Sequence, residues 1–207
     1  MNIRAAWVLP ISAPPIRDGV VRIADGHIAG VGSADALPAG ARGDDTVELG
    51  DVVLMPGLVN PHTHLELSAY AGALPPAPLW DWFRQLIPMR RVAGRREREA
   101  AGVERGAWDC LRAGVTCVGD ISRESIAWRV LKTIPIRKVC FAELLSLAED
   151  PPRTPTELAD AVAAIEEDEL LTAGITPHTP YTVPEADFRA AVALAAQQGR
   201  PWTTHWA

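Results

Sequence analysis

From residue 56 onward, the sequence alternates between short β-type segments and longer amphipathic helical segments. VTCVGDI (115–121), RKVCFAELL (137–145) and ITPHTPYTV (175–183) are β-type, and each follows a helical pattern. This alternation predicts a parallel sheet whose strands are joined by right-handed helical crossovers. Counting from the HTH segment at 62–64 gives about five such units.

Two closures of such a sheet are open, a doubly wound sheet and a (β/α)8 barrel. The sequence contains no GxGxxG or GxxxxGK[ST] motif, which disfavours the nucleotide-binding forms of the doubly wound sheet. A barrel needs about eight units and typically about 250 residues. The five units counted here fall short of that number, so an α/β protein with a parallel sheet is expected and both closures stay open at this point.

Residues 1–55 contain β-type segments and turn signals but no helical pattern. Asp18-Gly19 precedes VVRIA, and Asp25-Gly26 separates VVRIA from HIAGV; such Asp-Gly pairs are typical of tight hairpins. A third β-rich piece, TVELGDVVLMP, follows a loop rich in Gly, Ala and Asp. This part of the chain is predicted to form a small β layer that packs against further structure.

Composition excludes several classes of partner. The net charge of −6 argues against nucleic acid, whose phosphates call for a basic face. No stretch approaches the roughly 18 apolar residues of a membrane span, and prolines interrupt the apolar start, so we expect neither a membrane segment nor a signal peptide. The separated cysteines Cys110, Cys117 and Cys140 indicate reduced thiols and a cytoplasmic protein.

His62 and His64 are the first candidates for chemistry. Side chains two apart on a strand point the same way, so both imidazoles can face the barrel mouth and hold one metal ion. Glu66 would point to the same side as the two histidines if the strand runs that far. It either binds substrate or supports the site, or it caps a loop. The site would lie at the carboxyl ends of the strands, where barrel enzymes keep their chemistry. Two histidines are not enough, so a further ligand is needed.

The other histidines indicate where that ligand lies. His178 closes ITPH and His205 closes WTTH, so each lies late in its segment and faces the same rim as the HTH pair. His27 lies in the N-terminal hairpin and is interpreted as a surface residue. A hydrogen-bonded structural histidine is the alternative for each strand-end residue. Glu143, in FAELL, is a buried acid that needs a partner, either within this site or from an arginine.

The segment MPGLVNPHTHLE resembles the first barrel strand of the amidohydrolase superfamily. It is most similar to the branch of aminohydrolases and chlorohydrolases that act on purine, pterin, triazine and related nucleobase-like rings. AGVTCVGDIS, RKVCFAELL, ITPHTPYTV and TTHWA resemble the second to fifth strands. The β layer resembles the small β-sandwich of these proteins, so residues 1–55 would be the N-terminal part of that sandwich. The resemblance covers the N-terminal half of such a protein, and it implies that residues 56–207 form the first half of a TIM-type (β/α)8 barrel, truncated after about five β/α units.

The resemblance implies roles for individual residues. His62, His64 and His205 match the metal ligands of this branch, and His178 matches a histidine near the substrate ring. The dinuclear branches carry a carboxylated lysine on strand four, whereas the only lysines here are Lys132 and Lys138. A single divalent ion is therefore implied, zinc being favoured and iron being the alternative.

The implied reaction is deamination of a nitrogen heterocycle by metal-bound hydroxide. The acid that protonates the ring would lie just past Ala207, and later strands would supply the remaining groups. This chain alone is therefore expected to be an inactive fragment. The missing half of the barrel would come from a second chain or from the rest of a longer protein. A second copy of the same chain, in a homo-oligomer, is the other partner considered. HTHLELSAYAG followed by LWDWFRQL is similar to an aminofutalosine-deaminase-like subgroup, and this similarity implies an adenine-type ring. Guanine, cytosine, methylthioadenosine and a triazine are the other rings considered. The alternatives are hydrolysis of a cyclic amide or a chlorinated ring, and a non-catalytic fragment.

Overall fold

The computed structural model describes residues 1–36, 45–122, 126–146 and 153–206. It divides into two units, Met1–Gly57 and Leu58–Ala207. The boundary lies between the Pro-Gly break and the strand that carries the first histidine. Each unit is described by itself below.

The described part of the first unit is one five-stranded sheet. Its strands are β1 (Asn2–Val8), β2 (Ile16–Ala24), β3 (His27–Ser33), β4 (Thr46–Glu48) and β5 (Val53–Leu54). The order is β3-β2-β1-β4, with β5 also paired to β1, and only the β1–β2 and β2–β3 pairs are antiparallel. The assembly of this sheet into a sandwich stays a prediction.

The two Asp-Gly pairs behave differently. Asp25 and Gly26 have φ angles of 51° and 74°, the left-handed geometry of the predicted hairpin between β2 and β3. Asp18 also has a positive φ, but Asp18-Gly19 lies inside β2, where Gly19 pairs with Ala5. The prediction of a turn before VVRIA is therefore wrong, because β2 stays paired with β1 on both sides of Asp18.

The second unit alternates strands and helices. Its strands are β6 (Leu58–Thr63), β7 (Val115–Ser122), β8 (Arg137–Leu144) and β9 (Leu171–Pro177). Its α-helices are α1 (Leu79–Arg90), α2 (Arg95–Arg112), α3 (Ile126–Leu131), α4 (Pro155–Ala163) and α5 (Glu185–Gln198), and a 3₁₀ helix covers Leu65–Tyr70. None of the described helices is both long and apolar enough to cross a bilayer.

The four strands form a parallel sheet in chain order, β6-β7-β8-β9. Residues 201–205 then follow the outer edge of β9: Ile175 N–H donates to Pro201 O at 3.1 Å, and Thr203 N–H donates to Ile175 O at 3.1 Å. Each strand thus lies beside the strand that precedes it in the chain, as in a singly wound barrel. In a doubly wound sheet the strand order reverses at one point. The described residues form the predicted partial barrel.

The core lies between this sheet and the helices on its outer face. Val103 and Ala107 of α2, Leu158 and Val162 of α4, and Ala191 and Ala195 of α5 are all fully or almost fully buried. The spacing of three or four residues within each helix gives one apolar stripe, as the sequence pattern predicted. Burying these stripes fixes the strand ends that carry the polar residues described below.

Two local sequence signals for the limits of α4 are the capping-box spacing of Thr154 and Glu157 and the later Gly174. The structure contains the first and contradicts the second. The capping box at the start of α4 is present, with Thr154 Oγ1 accepting from Glu157 N–H and the Glu157 carboxylate accepting from Thr154 N–H. A glycine after an apolar helical stripe predicts a helix end, which the sequence indicates at Gly174. This prediction is wrong, since α4 ends at Ala163 and Gly174 lies within β9. A Cβ atom at position 174 would lie 2.5 Å from the ring of Phe141, so strand packing explains this glycine.

Candidate metal centre

His62 and His64 lie at the carboxyl end of β6, with ring centroids 5.4 Å apart. Strand β6 reaches this position because it approaches β7 very closely. A Cβ atom at Gly119 would lie only 2.3 Å from the carbonyl oxygen of Pro61, the residue before His62. A side chain larger than hydrogen at Gly119 would therefore displace the strand that carries both histidines.

His205 joins this pair from the segment that runs beside β9. Its backbone N–H donates to His178 O at 2.8 Å, which places its imidazole over the end of the sheet. The His205 ring centroid lies 4.7 Å from that of His62 and 5.3 Å from that of His64. One ring nitrogen from each of the three residues lies within 4.8 Å of the others, so residues 143 positions apart in the chain converge on one point.

Hydrogen bonding determines which nitrogen of His205 is available. His205 Nδ1 lies 3.0 Å from His178 O, so it carries the proton and donates to this carbonyl. Its Nε2 therefore offers a lone pair, and it lies 3.1 Å from His64 Nε2. Two nitrogens bound tetrahedrally to one zinc ion would lie about 3.4 Å apart, given Zn–N bonds of about 2.0–2.1 Å.

The electrostatics favour neutral imidazoles at this point. Burial, together with the neighbouring imidazoles of His205 and His62, lowers the pKa of His64 to about 4. Burial also lowers the pKa of His205, against the opposing effect of its hydrogen bond to the backbone. A divalent ion binds the unprotonated ring, so this environment fits a metal. Three nitrogen ligands with room for a fourth group are typical of a catalytic zinc site, and imidazole also suits iron.

Glu66 lies in the 3₁₀ helix just after the histidine pair and is only 2% exposed. Its carboxylate accepts hydrogen bonds from Arg90 and, at 3.3 Å, from Ser122 Oγ at the end of β7. Arg90 also donates from Nε to the fully buried Glu99 at 2.8 Å, and Tyr70 OH donates to the same Glu99 oxygen at 2.9 Å. Burial raises the pKa of Glu66, and Arg90 opposes that shift. Glu66 is thus held rigidly at the rim.

His178 lies beside His205, with ring centroids 4.7 Å apart. His178 Nδ1 is 2.6 Å from Thr182 Oγ1 in the following loop. Glu143, at the end of β8, His178 and His205 also place one possible ligand atom each within 4.8 Å of one another. Because His205 has a single available nitrogen, it cannot serve this second group and the first group at the same time. The three-histidine group is the better metal site.

Sequence reasoning missed Asp120. This fully buried residue near the end of β7 accepts a hydrogen bond on Oδ1 from Leu65 N–H at 2.8 Å. The bond fixes the chain immediately after His64 and starts the 3₁₀ helix. Burial raises the pKa of Asp120 well above its ordinary value. Position at the end of a buried strand was the one signal that could have identified it.

The two lysines do not contribute to the histidine group. Lys132 pairs with the carboxylate of Glu166. Lys138 is buried near the start of β8, where its ammonium donates to Ile134 O at 3.0 Å. This is the opposite end of the strand from Glu143, so neither lysine occupies the place of a bridging ligand.

Comparison with known proteins identifies the class. The amidohydrolase family model matches residues 53–207, and the chain therefore belongs to the amidohydrolase family. The chain is similar to the 5-methylthioadenosine/S-adenosylhomocysteine deaminase of Nitratidesulfovibrio vulgaris strain Hildenborough, with 29% identity over 201 residues, covering 93% of this chain and 45% of that protein. The chain spans about half the length of the curated relatives it matches.

Two solved structures superpose closely on this chain. An adenosine deaminase from Xanthomonas campestris with bound zinc superposes with a TM-score of 0.80 at 28% identity, covering 99% of this chain and 48% of that one. Atrazine chlorohydrolase from Arthrobacter aurescens, complexed with zinc, superposes with a TM-score of 0.85 at 17% identity, covering 100% and 52%. The resemblance to the aminohydrolase and chlorohydrolase branch, and the partial barrel, are confirmed.

Proposed function

We propose that this chain supplies the metal-binding half of a hydrolase that removes the exocyclic amine from an adenine-type heterocycle. The observation that carries the proposal is the convergence of three imidazoles on one point at the carboxyl ends of the strands. The names of the relatives support deamination in particular, since they are deaminases of methylthioadenosine, S-adenosylhomocysteine and 5'-deoxyadenosine. The substrate class is thus a small nucleoside-like molecule.

His62, His64 and His205 would hold one divalent ion, with zinc favoured over iron by the three-nitrogen donor set and by the zinc in the Xanthomonas relative. When bound, such an ion would activate a water molecule for attack on an electrophilic carbon of the ring. The protein contributes by burying His64 and His205, which lowers the pKa of both imidazoles and favours their unprotonated forms. The His178 carbonyl fixes the proton of His205 on Nδ1.

His178 and Glu66 are proposed to contact the substrate. The His178 ring lies 4.7 Å from that of His205, tilted by 48°, and is therefore next to any molecule that approaches the ion. Glu66 presents a carboxylate that Arg90 and Ser122 hold in one orientation, so it can accept hydrogen bonds from substrate hydroxyl or amino groups without reorganising. Both residues act by orienting the ring.

The remaining parts of the proposal concern the rest of the protein. Residues 1–55 would belong to a small β-sandwich domain and residues 56–207 to the barrel. We propose that the remaining strands, and the acid that protonates the ring nitrogen, come from the rest of a longer protein or from a second chain, with a homo-oligomer as the other assembly considered, and that residues 1–207 alone are inactive. The alternatives are a cyclic-amide or chlorinated-ring hydrolase on the same scaffold and a non-catalytic fragment; the likeness to atrazine chlorohydrolase, at 17% identity, concerns the fold alone.

The complete protein, loaded with zinc, tests the proposal. It is incubated with methylthioadenosine, S-adenosylhomocysteine, 5'-deoxyadenosine and a chlorinated triazine, and release of ammonia and chloride is measured. We expect ammonia from the adenosine-type substrates and its loss in His62→Ala, with His27→Ala in the exposed hairpin as the matched control. Chloride release alone would favour the triazine alternative, and the absence of both products would contradict the proposal.

A further inference from the structure

The loop that follows β9 contains a short chain of side-chain hydroxyls that ends on His178. Thr179 Oγ1 and Thr182 Oγ1 lie 2.7 Å apart, and Thr182 Oγ1 lies 2.6 Å from His178 Nδ1. Thr179 is 2% exposed, so its hydroxyl cannot exchange its partners freely with bulk water. Each of these bonds has one proton, and counting the donors and acceptors determines where each proton lies.

The count starts at Thr179. Its Oγ1 accepts hydrogen bonds from two backbone groups, Thr182 N–H at 3.0 Å and Tyr181 N–H at 3.3 Å. A hydroxyl oxygen has two lone pairs and one proton, so both of its acceptor positions are occupied. The Thr179 hydroxyl must therefore donate its own proton, and Thr182 Oγ1 at 2.7 Å receives it.

The count continues at Thr182. Its hydroxyl now accepts from Thr179 and retains one proton to donate. Among the residues that the structure describes, the acceptors within reach are His178 Nδ1 at 2.6 Å and Thr179 O at 3.5 Å. The carbonyl lies at the outer limit of a hydrogen bond and already accepts from Val183 N–H at 3.2 Å. The proton therefore goes to His178 Nδ1, which must be unprotonated.

We infer that Thr182 is a positioning residue that holds His178 in the tautomer with its proton on Nε2. With Nδ1 accepting from Thr182, a neutral His178 presents an N–H donor on the opposite side of its ring. The backbone carbonyl of His178 simultaneously fixes His205 in the other tautomer, with Nδ1 protonated. The two adjacent rings are thus held in opposite tautomers: His205 keeps the lone pair on Nε2, and His178 carries its proton on Nε2.

This tautomer defines what can face His178. An Nε2–H group binds an acceptor, such as a ring nitrogen lone pair or an oxygen, and disfavours an N–H or NH₂ group placed against it. This consequence for substrate rests on the proposed function. The tautomer itself rests only on the hydrogen bonds of the loop, so it can be tested without any reaction.

The direct test is ¹⁵N NMR of the histidine rings in the complete protein, with the His178 signals assigned through their loss in His178→Gln. We expect one tautomer, with an unprotonated Nδ1 and a protonated Nε2. Thr182→Ser keeps the hydroxyl and should keep that pattern, whereas Thr182→Val should give a mixture of tautomers. Thr204→Val is the control, because Thr204 Oγ1 donates to the His178 carbonyl at 3.1 Å and not to its ring.

Two NMR outcomes overturn the inference: a protonated Nδ1 in the wild type, or an unchanged pattern in a Thr182→Val chain whose backbone amide spectrum shows it folded. In the complete protein, losing one neutral hydrogen bond should lower kcat/KM by about 2- to 12-fold, with rescue by Thr182→Ser. A protein that deaminates nothing but shows the expected ¹⁵N pattern would refute the proposed function and leave the tautomer assignment standing.

Discussion

The buried Asp120 gives the most quantitative prediction. Its Oδ1 accepts from Leu65 N–H at 2.8 Å, and both residues are buried. Asp120→Ala leaves that N–H without a partner, which costs about 1–3 kcal/mol. For a chain of this size each kcal/mol lowers Tm by about 2–4 °C, so we expect a decrease of about 2–12 °C.

Asp120→Asn provides the matched control. Burial raises the pKa of Asp120 well above 3.8, so its carboxyl is protonated at a pH where an exposed aspartate would be ionised. An amide keeps a carbonyl oxygen for Leu65 N–H and has nearly the same shape as a protonated carboxyl. We therefore expect Asp120→Asn to cost less than about 1 kcal/mol.

The dependence on pH follows from the same shift. The folded protein holds a proton on Asp120 that the unfolded chain releases above its ordinary pKa of 3.8. Ionisation of this group therefore lowers the free energy of unfolding as pH rises from 3.8 towards the raised value. Asp120→Asn lacks this contribution, so its stability relative to the wild type should improve across that range.

Denaturant unfolding of the three proteins, followed by circular dichroism at several pH values, measures these quantities. If Asp120→Asn is as destabilised as Asp120→Ala, or its difference from the wild type does not change with pH, the carboxyl is not neutral. If Asp120→Ala is as stable as the wild type, the bond to Leu65 N–H does not hold the segment after His64.

Two further predictions concern the support of the site. Gly119→Ala places a methyl group only 2.3 Å from Pro61 O, so it should lower the free energy of unfolding by about 1–3 kcal/mol and weaken zinc binding in a titration. Gly30→Ala, with open space around it, is the control. Equal zinc affinity in the two variants would contradict the packing argument. Arg90→Met removes the cation that pairs with buried Glu66 and leaves buried Glu99 with the longer contact to Arg95 at 3.7 Å. It should cost about 3–5 kcal/mol at neutral pH, with partial recovery as pH falls and the carboxylates protonate. Arg84→Met removes an exposed pair and should cost less than about 1 kcal/mol; equal losses in the two variants would show that the buried cluster is not specially stabilised.

Much of the candidate site could be predicted from the sequence because strand geometry is periodic. His62 and His64 are two apart on a strand, and His205 and His178 end segments of similar texture. Parallel strands bring their carboxyl ends to one edge, so these four residues are expected to be neighbours without any knowledge of packing. The structure brings all four rings together.

The groups that orient the site could not be predicted in the same way. Thr182 and Glu185 have the same spacing as the capping box at Thr154, yet α5 begins after Pro184 without a side-chain cap. The Thr182 hydroxyl bonds to His178 instead, a tertiary contact that local spacing does not contain. The pairing of Arg90 with Glu66 likewise depends on where the end of α1 lies relative to the 3₁₀ helix.

Titration of the metal-free chain with zinc tests the central claim most directly. The account predicts one ion per chain, an affinity at least about tenfold weaker in His205→Ala than in the wild type, and no change in His27→Ala. Zinc binding that survives His205→Ala with unchanged affinity would show that the rings of β6 and of the segment beside β9 do not share an ion.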